Sequence, residues 1–97
     1  MIMTFEEAFN ALPTDVNELT QFLILNDFKG QREDAAVCPL AIYFYSATHK
    51  TVYVYPESVL NVTDGEERPA TEAMVHFIEL FDTGDLPELD FTLEGEL

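Results

Sequence analysis

Apolar positions recur with helical spacing in four stretches of the chain. Phe5, Ala8, Phe9 and Leu12 stand at i, i+3, i+4 and i+7, with Glu6, Glu7 and Asn10 on the other side. Thr4 followed by Glu7 is a capping-box signature, and Pro13 closes this first helix. Thr14 or Asp15 caps a second helix over roughly 16–28. Its stripe of Val16, Leu19, Phe22 and Leu23 is widened by Ile24, Leu25 and Phe28, which predicts the most buried helix of the fold. Lys29-Gly30 reads as its stop. The polar run over 29–37 is a loop. After it, Pro39 suits a helix start, and Leu40, Tyr43, Phe44 and Ala47 fit helical spacing. The same segment is rich in β-formers, so a hairpin of 41–46 with 51–55 competes with that helix. A fourth helix over about 69–82 puts Ala70, Met74, Phe77, Ile78 and Phe81 on one face, with Glu72, His76 and Glu79 opposite. Thr83-Gly84 ends it.

Period-two patterns are fewer. Thr51–Tyr55 alternates β-branched and aromatic residues and predicts a strand, and Val59–Val62 predicts a second. Residues 63–67 have loop chemistry. The C-terminal run alternates Leu89, Phe91 and Leu93 against Glu88, Asp90, Thr92 and Glu94, the pattern of a half-buried third or edge strand. The expected fold is one α+β domain over 1–97: a small antiparallel sheet of two to three strands packed against three to four helices, in the order α-α-α-β-β-α-β. No repeat or linker divides it.

Part of this layout is familiar. A helix ending in Lys-Gly, a basic loop position at Arg32, Cys-Pro-Leu-Ala-x-Tyr at 38–43, a short strand and a Phe-rich helix ending FDTGDLPEL follow one another. Over roughly residues 29–89 the chain resembles small uncharacterised proteins of actinobacteria and their phages. The resemblance implies a helix over 39–47 and helices packed on a small sheet. It implies no activity.

Charge changes the picture most. Nineteen acids face four bases, a formal net charge of −15, on a chain that is nonetheless 47% hydrophobic with eight Phe and four Tyr. Such apolar content excludes disorder. The charge disfavours direct contact with nucleic acid or an anionic membrane and favours a basic protein partner. No apolar run is long enough to span a bilayer. The acidic N-terminal stretch is unlike a secretory signal, and the single Cys38 excludes an internal disulfide, so a reducing, cytoplasmic setting is expected. All four bases lie between Lys29 and Arg68, and Glu72, Glu79, Asp82, Asp85, Glu88, Asp90, Glu94 and Glu96 follow with no base among them. These eight are the candidate partner-binding residues. On a strand, residues two apart are separated by roughly 6.6 Å. Glu88, Asp90, Glu94 and Glu96 share one parity, so a strand edge would present carboxylates at an interval comparable to DNA phosphates.

Catalytic chemistry has little support. Cys38 has no histidine near it in sequence and reads as a small buried residue fixing a turn. His76 lies between Glu72 and Glu79 and reads as charge relief on a solvated face; His49 sits in a loop. Asp64-Gly65-Glu66-Glu67 lacks the spacing of a calcium loop, and there is no phosphate-cradling glycine loop. No catalytic residue, metal site or cofactor is expected. The expected function is a non-enzymatic acidic interaction module, with inhibition of a basic nucleic-acid-binding protein by DNA mimicry as its sharpest form. The alternative is a small phage or bacterial structural or regulatory protein whose charge serves solubility. Tyr53 and Tyr55, alternating on a strand, are candidate interface aromatics and admit a homodimer.

Overall fold

Residues 2–90 are described by the computed structural model. Helix α1 (Phe5–Asn10) starts at the anticipated capping box: the Glu7 amide donates to Thr4 Oγ1 at 3.1 Å, and the Thr4 amide donates to Glu7 Oε1 at 2.9 Å. Helix α2 (Val16–Leu25) is capped by Asp15, whose Oδ2 accepts from the Glu18 amide. It ends earlier than Lys29-Gly30 suggests. Asp27 adopts the left-handed conformation at φ 56°, with its amide on the Ile24 carbonyl and the Phe28 amide on the Leu23 carbonyl. That is a Schellman closure made without glycine. Nor is α2 the most buried helix. Only Leu19 and Leu23 are buried in it, and Leu25 is 80% exposed.

The most buried helix is α3 (Pro39–Thr48), which settles the choice between helix and hairpin over 41–46. Pro39, Leu40, Ala41, Tyr43, Phe44 and Thr48 are all buried in it. Strands β1 (Val52–Val54), β2 (Ser58–Asn61) and β3 (Glu66–Pro69) form an antiparallel meander in the order β1-β2-β3. Val54 pairs with Val59, and Asn61 pairs with both Val52 and Glu66. Strand β3 falls where a loop was expected. Its sequence, Glu-Glu-Arg-Pro, carries no apolar alternation, because it is an exposed edge held by backbone pairing. The turn before it is organised by the buried Asn61. The Asn61 amide group donates to Asp64 and Glu66, and its Oδ1 accepts from the Thr63 amide. Gly65 follows at φ 75°.

Helix α4 (Glu72–Asp82) is capped by Thr71 and buries Ala73, Met74, Phe77, Ile78 and Phe81. A second Schellman closure at Gly84, φ 85°, ends it. The observed order is therefore α-α-α-β-β-β-α, an α+β fold. Instead of the expected C-terminal strand, Pro87–Leu89 forms one 3-10 turn. Residues 91–97, which carry the remainder of that expected strand, lie outside the described residues.

Packing places α1 against α3, α3 against β1, and α2 against α4. Phe5, Phe9 and Phe44 meet ring to ring. Tyr43 touches Phe22, Phe28 and Phe44 edge-on, and its hydroxyl donates to the Ala8 carbonyl at 2.7 Å. That bond satisfies a carbonyl in the last turn of α1, where no intrahelical donor is left. Among the described residues, no helix is long and apolar enough to cross a membrane.

Candidate functional site

The loop between α2 and α3 is pinned at four points. The Gly30 amide donates to the Leu89 carbonyl, and Gly30 and Asp90 form a single parallel β-bridge. The Gln31 amide donates to the Val37 carbonyl at 2.8 Å. The Val54 amide, on the outer edge of β1, donates to the Ala35 carbonyl at 2.9 Å. The Glu33 amide donates to Asp82 Oδ1, at the end of α4, at 2.9 Å. Gly30 is required for its lack of volume. A Cβ there would stand 2.2 Å from the Val37 carbonyl oxygen.

So pinned, the loop forms one wall of an open cleft of about 230 Å³. Cys38, Val54, Phe77, Ile78 and Phe81 make its apolar floor. Ala35, Tyr55 and Pro56 make the lip, and Glu33, Asp34 and Asp82 contribute carboxylates. Burial pushes the Cys38 thiol up to about 11, outweighing the backbone hydrogen bonds that favour its anion. The floor is therefore uncharged at neutral pH, and the thiol is not an activated nucleophile.

Every base of the chain is already within ion-pair reach of an acid. Lys29 lies 3.6 Å from Asp27, Arg32 Nε lies 2.8 Å from Asp90 Oδ2, Lys50 pairs with Asp64, and Arg68 lies 3.4 Å from Glu6. The Lys50 hydrogen bond lowers the Asp64 carboxyl below its usual range, and the same bond raises the Lys50 ammonium. Arg68 also sits over the Phe9 ring, 4.7 Å from its centroid. What remains outward is overwhelmingly anionic.

Charge is concentrated where α4 ends. Glu79 is exposed and Asp82 half-buried, one turn apart, and the exposed Asp85 accepts from Thr83 Oγ1 at 2.8 Å. The last turn of α4 contains no base, although helix C-termini favour cations. Arg32 reaches Gly84 from the neighbouring loop, and its Nε lies 2.8 Å from Asp90 Oδ2.

The eight acids singled out from sequence thus separate. Glu72 and Glu79 are exposed on α4, Asp82 borders the cleft, and Asp85 and Glu88 are exposed beyond the helix. Asp90 is 2% exposed, against the expectation of an outward carboxylate. Leu89 beside it is 1% exposed, so the alternation fails there. Two attachments explain this: the Leu89 carbonyl is taken by Gly30, and the Asp90 carboxylate is drawn in by Arg32. Glu88 and Asp90 therefore do not form a phosphate-like ladder. Glu94 and Glu96 lie outside the described residues. Tyr53 and Tyr55 do share a face, with rings 6.3 Å apart and edge-to-face, and Tyr55 is 38% exposed at the cleft lip. His49 is exposed at the end of α3, and His76 is exposed on α4. Among the described residues, no three metal-ligating side chains converge.

Sequence reasoning missed the cleft. Val54, Phe77, Ile78 and Phe81 carry the same core signal whether or not a cleft opens over them. Glu33 and Asp34 read as loop polarity. Compared with known proteins, the chain matches no family model, no curated protein and no solved structure.

Proposed function

We propose that this chain is a non-enzymatic interaction module that docks on a basic protein partner through its acidic surface, with the end of α4 and the adjoining loop as the contact. The observation that carries this reading is the internal pairing of all four bases, which leaves Glu33, Glu79, Asp82 and Asp85 outward on one side without a compensating cation from the chain beyond Arg32. Placing acids at a helix C-terminus works against the helix, and an incoming Lys or Arg relieves that. Such charge speeds encounter with a basic surface and selects against anionic ones. Nucleic acid and anionic lipid are repelled by the same field. A protonated, buried thiol and two exposed histidines supply no catalytic pair.

Two triple variants of equal charge change test the reading. Glu33→Gln, Glu79→Gln and Asp85→Asn remove the proposed contact. Glu18→Gln, Glu67→Gln and Glu72→Gln neutralise exposed acids away from the end of α4. Titrated with an arginine-rich peptide at low salt, the first triple binds at least about tenfold more weakly than the second, a difference of about 1.4 kcal/mol. Equal weakening by both triples would mean diffuse charge that serves solubility alone.

A further inference from the structure

The cleft beside this acidic end says what else the partner carries. We propose that it receives one large apolar side chain from a Lys- or Arg-bearing segment of the partner, a step that rests on the partner being basic as argued above. The floor is apolar and continuous with the core through Phe77 and Phe81, yet it stays open to solvent between the 33–38 loop, the β1–β2 turn and α4. Size selects the occupant. At about 230 Å³ the cleft exceeds the roughly 150 Å³ cavity known to hold benzene, and it falls below the roughly 300 Å³ at which metabolite and cofactor pockets begin. One aromatic or long aliphatic side chain matches that volume.

Charge selects its neighbours. Glu33, Asp34 and Asp82 line the cleft with carboxylates, and no base lines it. Asp34 and Asp82 each use one oxygen on a loop amide, those of Ala36 and Glu33, so their negative ends are fixed in place. Tyr55 at the lip, with Tyr53 against it, offers an aromatic face to a cation flanking the anchor. The same carboxylates repel the other occupants at hand. A second copy brings a net charge of −15, and residues 91–97 of this chain bring Glu94 and Glu96 and no base. The walls are already hydrogen-bonded at Ala35 and Glu33, so little ordering is needed on binding.

The test uses the full chain and an end-capped peptide, Lys-Lys-Gly-Phe-Gly-Lys-Lys, with the Phe→Ala peptide and a version with Glu in place of Lys as comparisons. Calorimetry gives affinities, and methyl chemical shifts of Val54 and Ile78 report the cleft. The Phe peptide binds about 10- to 100-fold tighter than the Ala peptide, the range expected for burying one large apolar side chain, and it moves both methyl signals. Ala35→Phe, which fills the cleft from its lip, erases that difference. Should Ala35→Phe fail to fold, Tyr55→Ala at the exposed lip weakens the Phe peptide more than the Ala peptide, because the Ala peptide loses only the cation contact and the Phe peptide loses part of the lip around its anchor as well. Equal binding of the Phe and Ala peptides, with the two methyls unmoved, overturns the anchor and leaves the basic-partner reading standing. No binding of either lysine peptide at low salt overturns both. Tight binding of the glutamate peptide overturns the charge argument. Peptide-free, concentration-dependent shifts at the two methyls with a doubled sedimenting mass assign the cleft to a second copy instead.

Discussion

Gly30→Ala is the most informative single perturbation of the wall that shapes the cleft. The Cβ it adds would lie 2.2 Å from the Val37 carbonyl oxygen and 2.6 Å from both the Cys38 carbonyl carbon and the Pro39 nitrogen. Ordinary contacts there are 3.4–4 Å, so something must move by roughly an ångström. All three obstacles are backbone atoms, and two belong to the residues that start α3, so no rotamer change relieves the clash. Overpacking of this kind costs about 1–3 kcal/mol. Displacing Val37 also breaks the hydrogen bond its carbonyl accepts from Gln31, worth about 1 kcal/mol. Restricting the unfolded chain returns about 0.4–1 kcal/mol. The net loss is about 2 kcal/mol, or roughly 8–16 °C in Tm for a domain of this size. Gly65→Ala is the control, since its Cβ meets nothing within 4 Å but its φ of 75° is unfavourable for alanine. That variant loses only about 1 kcal/mol, the cost of the left-handed conformation. Urea melts followed by far-ultraviolet circular dichroism at fixed ionic strength measure both. Amide exchange at Gln31 and Val54 should quicken in Gly30→Ala alone. A Gly30→Ala loss under about 0.5 kcal/mol, or one smaller than that of Gly65→Ala, would refute the close approach.

Three further outcomes are expected. Tyr43→Phe removes the donor to the Ala8 carbonyl and costs about 1–3 kcal/mol in urea melts; an unchanged midpoint would mean that α1 does not depend on that bond. The Cys38 thiol titrates near 11 when folded and near 9 when unfolded, so the unfolded chain ionises first. Stability attributable to Cys38 is therefore unaffected below pH 9 and falls by up to about 2–3 kcal/mol as pH rises to about 11. Cys38→Ala should flatten that fall between melts at about pH 8 and about pH 10, and a thiol reagent should label the native protein only on opening. Raising salt shortens the screening length from about 10 Å at 0.1 M to about 3 Å at 1 M, so Tm should rise with sodium chloride as the repulsion behind the net charge of −15 is screened. A flat or falling Tm would show that the exposed ion pairs outweigh that repulsion.

Local signals were enough wherever the stabilising partners lie close in sequence. The Thr4–Glu7 capping box, the Pro39 start of α3, the centre of the β1 alternation and the Met74, Phe77, Ile78 and Phe81 face of α4 formed as read, because caps and periodicity act within one or two turns. Helix α4 begins at Glu72 rather than near residue 69, because β3 takes the chain as far as Pro69 and Ala70 precedes the helix. The stop of α2 was misplaced because Asp27, a poorer left-handed residue than glycine, took the αL position. Strand β3 was invisible because an exposed edge needs only backbone partners, which sequence pattern does not encode. Its one trace was the Asp64-Gly65 turn.

What the sequence alone determined is the class of fold and the sign of the surface. Apolar periodicity dictates which faces are buried, and nineteen acids against four bases leave a negative exterior in any arrangement. Only the tertiary structure decided where that charge acts. Asp90 alternates like an outward acid, yet it is buried because Arg32, distant in sequence, reaches it. The cleft joins residues of 33–38, 54–56 and 77–82, segments that meet only when the loop crosses β1 and the end of α4. Burial is written in local pattern, whereas a concave surface depends on which distant segments are brought side by side.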